Sequence, residues 1–236
     1  MKKVHVLLTS LSFVIVMLSV NRLGSFTQHR LEPYDFLRWL DINAMLPIPI
    51  ATVVVYYLLK KDVEVAGEAA RTGPFLAHNV VFLVGVYLLG ASSGDHETTN
   101  YLNLRFCAER PVDEDLCAAV AFHDDTFSHV LYYLGVIMYT LSVVTMEWRC
   151  PRRTEATRRD GLLILANATV IAVGIFANLA FETAAIDMVA FGLVAAVANG
   201  LLWLTGRRWT RLPVTLYIAV SFGAGLTATV LYKLLP

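Results

Sequence analysis

Residues 161–181 read GLLILANATVIAVGIFANLAF, 21 residues without one charged side chain. At about 1.5 Å per residue, a helix of this length crosses the roughly 30 Å hydrocarbon core of a bilayer. Similar runs recur along the chain, and we read seven spans: 4–20, 43–59, 73–92, 126–146, 161–181, 185–205 and 212–232. Composition agrees. Of 236 residues, 57% are hydrophobic and 16% charged, against about 25% charged in soluble domains. The expected fold is an all-α polytopic membrane bundle of about seven transmembrane helices, forming a single domain over residues 1–236 and residing in the cell membrane. Lysine plus arginine balance aspartate plus glutamate at 19 each, so net charge offers nothing toward nucleic acid.

The first span follows Lys2-Lys3, as a signal peptide would. Ser19-Val20-Asn21-Arg22 offers no small-x-small cleavage site, so a retained anchor is expected. Basic residues then set the orientation. With the N-terminus inside, the inner segments hold Lys2, Lys3, Lys60, Lys61, Arg71, the five arginines from Arg149 to Arg159, and Arg207, Arg208 and Arg211. That is 13 of 19, leaving six outside. N-in, C-out is the expected topology. It puts the connection 93–125 outside, where oxidation permits a Cys107–Cys117 disulfide. Cys150 falls inside and is expected free. Pro111 followed by Val-Asp-Glu-Asp predicts a helix over about 112–121, with proline in its first turn and acids at the positive end of its dipole.

Two stretches beside this connection carry the chemistry. Gly94-Asp95-His96-Glu97-Thr98-Thr99-Asn100 follows span three, and Phe122-His123-Asp124-Asp125-Thr126-Phe127-Ser128-His129 opens span four. Together they hold three of the six histidines and four of the 19 acids. Counting residues places His96 and His129 at one depth, at the outer interface. Helical spacing puts Asp125 with His129, Asp124 with Ser128, and His96 with Asn100. Catalytic zinc takes three protein ligands plus water, and His96, Asp125 and His129 offer that set for a divalent ion. Glu97, His123 or Asp124 are the candidate general bases on the bound water. Glu182 and Asp187, in the hairpin between spans five and six, reach the same plane as supporting acids. Asp124-Asp125 would equally serve as a plain helix cap.

Span count and ligand types resemble the membrane hydrolase superfamily of alkaline ceramidases and adiponectin-type receptors. That resemblance implies a zinc site with a His-x-x-x-His pair in the final span. Span 212–232 holds no histidine, so the diagnostic part is missing and membership is not claimed.

The expected function is therefore a metal-dependent hydrolase or transferase acting on membrane lipid. Two alternatives use the same residues: a non-enzymatic interaction or sensor protein, and a proton-coupled transporter. Small residues line spans five and six, including Ala166, Gly174, Ala177, Gly192, Ala196 and Gly200. They suit close helix packing, a homodimer or another membrane partner. Asn167 and Asn199 are expected to donate hydrogen bonds between helices. His78, 18 residues from His96 and so about 27 Å away along a helix, is expected to bond a neighbouring helix rather than join the outer site.

Overall fold

The computed structural model describes residues 1–33, 37–69, 75–108, 114–181, 185–206 and 208–235. Regular structure among them is helical. The main elements are α1 (Lys2–Leu23), α2 (Trp39–Met45), α3 (Pro47–Ala66), α4 (Phe75–Leu102), α5 (Glu114–Phe122), α6 (Ser128–Arg149), α7 (Arg158–Phe181), α8 (Ala185–Leu204) and α9 (Pro213–Leu234). Among the described residues, seven helical stretches are long and apolar enough to cross a membrane. This is the make-up of an integral membrane protein.

The spans follow the apolar runs, but two of them are longer than those runs. α4 continues past Leu102 through a π-helical segment, Asn103–Cys107. α5 passes into α6 through a second π-helical segment, His123–Phe127. The connection 93–125 is thus mostly helix, an extension of spans three and four beyond the apolar core. Cys107 and Cys117 are joined by a disulfide, and Cys150 is free and buried. The predicted helix over 112–121 is present as α5, described from Glu114; Pro111 and Asp113 lie outside the described residues.

α4 and α6 share the largest interface, and α9 packs on α7 and α8, with α1 against α3 and α7. Four contacts between α4 (with its extension) and α6 lie on one antiparallel seam. The Ser142 hydroxyl donates to the His78 carbonyl at 2.8 Å. Gly85 and Gly135 touch backbone to backbone. The Ser92 hydroxyl donates to the Ser128 carbonyl at 2.8 Å, and His96 meets Asp124. Successive α4 members are seven, seven and four residues apart, and so are their partners, which keeps them on one helix face. A Cβ on Gly85 would stand 2.7 Å from Tyr139 N and 2.9 Å from Gly135 O. Only glycine lets the two backbones approach so closely, the usual device for packing helices in lipid.

The small residues of α7 also serve packing. Gly174 seats Ile15 of α1, and the Gly225 position of α9 presses on Ile175 and on Ala172 O. Gly200 on α8 has nothing within 4 Å of its Cβ position. Asn199 donates across to the Ala219 carbonyl of α9 at 3.3 Å. Asn167 differs from expectation. Its side-chain oxygen accepts from Ser12 of α1 at 2.8 Å, while its NH₂ returns to Leu163 O in its own helix.

The opposite end is locked by charge. Glu147 of α6, 0% exposed, accepts from the backbone N–H of Val214 and Thr215 and from the Thr215 hydroxyl. It thereby caps the first turn of α9, where Pro213 removes one N–H and the others need an acceptor. Arg152 sits between Glu147 at 3.6 Å and Asp62. Arg153 pairs with Glu68, and Arg211 with Glu155. The arginine cluster that reads in sequence as an orientation signal is therefore also a set of tertiary clamps. Lys60, buried on α3, pairs with Glu64 and reaches Asn79 between the Phe75 and Phe82 rings.

Candidate functional site at the disulfide end

The π-helical segment decides which residues meet. In an α-helix Asp125 and His129 are one turn apart. A π-turn takes in an extra residue, and here the Ser128 N–H bonds the His123 carbonyl, five residues back. Asp124 is turned inward and 3% exposed, whereas Asp125 is exposed. The structure thus gathers His96, His129 and Asp124 and leaves Asp125 at the surface. Residue counting under a uniform α-helix could not show this rotation.

His96 Nδ1 stands 3.0 Å from Asp124 Oδ1 and 3.2 Å from the Asp124 carbonyl oxygen. A proton on Nδ1 is aligned with the carbonyl, and the buried Oδ1 takes no hydrogen bond among the described residues. The His96 and His129 rings are 5.1 Å apart, centre to centre. His129 Nδ1 is buried and makes no hydrogen bond among the described residues. Ser128, fully buried, donates to the Asp124 carbonyl at 2.6 Å and so fixes the turn that carries the carboxylate.

A second pair lies one residue back on each helix. His123 Nδ1 is 3.1 Å from Asp95 Oδ1, and this pair is more exposed than the first. Asp95-His96 on one helix is thus answered by His123-Asp124 on the other, acid to base both times. Glu97 interacts electrostatically with His96 first, and then with Asp41, Arg22 and Arg38. Asp41, on α2, is itself held by the Arg38 guanidinium at 2.7 Å.

Deeper in the bundle the site continues through aromatic contacts. His129 meets Tyr133 edge-on at 6.3 Å, and Tyr133 meets Phe191 of α8 at 5.5 Å. Asp187 of α8 is 0% exposed and interacts with Tyr132 and Tyr133, and Asn178 of α7 also faces Tyr133. Asp187, expected as a supporting acid in the plane of His96 and His129, contacts these tyrosines. Glu182 lies outside the described residues. Asn100 is partly buried on α4, one turn after His96. The residues missed from sequence were Tyr132 and Tyr133. Tyr133 stands four after His129 on the same face, and that spacing was available as a signal.

Among the described residues, no group of three or more His, Cys, Asp or Glu side chains is placed to hold a metal ion. His96 and Asp124 are turned to each other, and Asp125 faces away. Of the three ligands expected for a catalytic zinc, His96 and His129 thus lie together and Asp125 does not join them. Compared with protein-family models, curated proteins and solved structures, the chain matches none. Its function has to be argued from these side chains.

Proposed function

We propose that this protein is an acid–base enzyme of the membrane interface, a hydrolase or transferase acting on the polar part of a membrane lipid, with its N-terminus inside and the disulfide end outside. The observation that carries this reading is the buried Asp124 carboxylate against His96, with the His129 ring beside it and its Nδ1 without a hydrogen bond among the described residues. A carboxylate facing one ring nitrogen orients the imidazole and stabilises its protonated form. The other nitrogen, Nε2, is then the atom that takes a proton from water or from an acceptor hydroxyl. The oxygen so activated bonds to the acyl or phosphoryl centre, and His129 is positioned to return a proton to the departing oxygen. That the pair follows the apolar part of spans three and four in sequence supports a substrate at the level of the lipid headgroups.

The test is turnover in vesicles of defined phospholipid, sphingolipid and glycerolipid, with released headgroups and acyl chains followed by mass spectrometry. His96→Gln and Asp124→Asn are each expected to lower turnover by about 100-fold or more. If Asp125→Asn costs as much as Asp124→Asn, and purified protein holds one metal per chain that His96→Ala and His129→Ala remove, the metal-dependent form of the enzyme replaces this one. Absence of turnover on all three lipid classes would sink the enzyme reading.

One observation favours a second reading, a proton-coupled carrier. Asp187 is wholly buried and coupled through Tyr133 to His129, and buried ionisable groups between spans often relay protons. Charge movement in proteoliposomes that disappears in Asp187→Asn, without lipid turnover, would decide for the carrier.

A further inference from the structure

We propose that the groove between α4 and α6 at the arginine-rich end is a binding site for an anionic membrane phospholipid, with the lipid phosphate at Arg149 and His78. The groove holds about 280 Å³ and is lined by His78 and Val81 of α4 and by Leu141, Ser142, Thr145 and Arg149 of α6. It lies at the other end of the seam from the His96–Asp124 pair and does not depend on what that pair does.

The lining is graded along the helices. Arg149 is the last residue of α6, and His78 is in the first described turn of α4, so both lie at the same end of the antiparallel pair. Leu141 is eight residues before Arg149, about 12 Å further into the bundle. Val81 lies inward of His78 in the same way, beside the exposed Leu76 and Val80. A cationic mouth leading to an apolar floor on the lipid-facing surface matches a phospholipid, phosphate at the mouth and acyl chain along the floor. A free phosphate would leave the floor unfilled.

The charge is also available. Arg152, Arg153 and Arg211 are each committed to carboxylates. Arg149 is exposed and makes no ion pair among the described residues. The Ser142 hydroxyl is spent on the His78 carbonyl, and Thr145 donates to Leu141 O while standing 3.5 Å from His78 Nδ1. The first contact holds the His78 backbone, the second sets its ring beside Thr145 at the groove wall, and Arg149 supplies the cation. Basic pockets between spans at a membrane face are a recurring way to hold acidic headgroups.

The experiment uses the full chain in phosphatidylcholine nanodiscs doped with phosphatidylglycerol, with retained lipid counted by native mass spectrometry. Wild type is expected to retain phosphatidylglycerol in preference to phosphatidylcholine. Arg149→Gln should weaken that retention about fivefold, the factor equivalent to the ~1 kcal/mol that one cation contributes near anionic lipid. Ala77→Trp, which narrows the groove from an exposed position without touching charge, should weaken it too, and it reads the groove independently if Arg149→Gln fails to purify. Arg158→Gln, on the same end but outside the groove, should leave retention as in wild type. The proposal is overturned if Arg158→Gln costs as much as Arg149→Gln, if Ala77→Trp has no effect, or if millimolar inorganic phosphate displaces the lipid completely.

Discussion

His96 and Asp124 face each other at 3.0 Å across the same seam on which Gly85 and Gly135 touch backbone to backbone. The proposed chemistry and a glycine-mediated close approach of two helices are thus parts of one interface. Asp124 is nearly fully buried, and among the described residues the charge contact to His96 is what faces its Oδ1, which takes no hydrogen bond. His96→Gln should therefore cost roughly 1–3 kcal/mol of stability, the penalty of leaving a buried polar group without its partner. The double variant His96→Gln, Asp124→Asn should recover part of that loss. Reversible unfolding in mixed micelles measures the cycle. Strictly additive effects would mean that the two side chains do not interact.

The glycine contact makes a sharper prediction, because what an added methyl meets is backbone. Gly85→Ala should lower stability by about 1–3 kcal/mol, the range for forcing an extra methyl into a packed core. Gly90→Ala lies on the same helix, five residues on, with nothing within 4 Å of the new Cβ. It should be neutral or stabilising by up to about 1 kcal/mol, the helix-propensity gain. Equal losses in the two variants would refute the seam. Because the seam also sets the distance from His96 to Asp124, Gly85→Ala is expected to reduce any activity of the site as well.

Most of the architecture could be read from the apolar runs, since a span needs only length and absence of charge. The α7 run, 161–181, is matched by a helix over Arg158–Phe181. Depth was legible for the same reason: His96 and His129 do lie together. What could not be read was rotation. The π-helical turn at His123–Phe127 changes which of two adjacent aspartates faces inward, and no composition or period marks it. Nor could the partners of Arg152 be read, because Asp62 is 90 residues away in sequence and a basic loop has a sufficient explanation in membrane orientation.

Glu147 gives the third prediction. Its carboxylate serves the first turn of α9 and, at 3.6 Å, Arg152. Glu147→Ala strips both and leaves Arg152 buried beside no acceptor on that side. A loss of about 3–5 kcal/mol is expected, as for breaking a buried ion pair by removing one partner. Glu147→Gln keeps one acceptor oxygen and should cost less. Hydrogen exchange at Val214 and Thr215 should rise selectively in Glu147→Ala. Unchanged protection there would mean that the carboxylate is not the cap.

The cysteines give the last. Cys107 ends the π-helical extension of α4, and Cys117 lies on α5, seven residues before Asp124. The bridge thus ties the far end of one long helix to the segment that delivers the carboxylate. Cys150 is free but buried. Alkylation of the native, unreduced protein should label no cysteine, and reduction plus unfolding should expose all three, read as intact mass. Cys107→Ser should cost about 2–3 kcal/mol, the scale for closing a loop of this size. If the bridge also holds the π-turn in register, Cys107→Ser will release Asp124 from His96. Loss of stability should then come with loss of the His96–Asp124 coupling energy, whereas an unchanged coupling would confine the disulfide to a stabilising role.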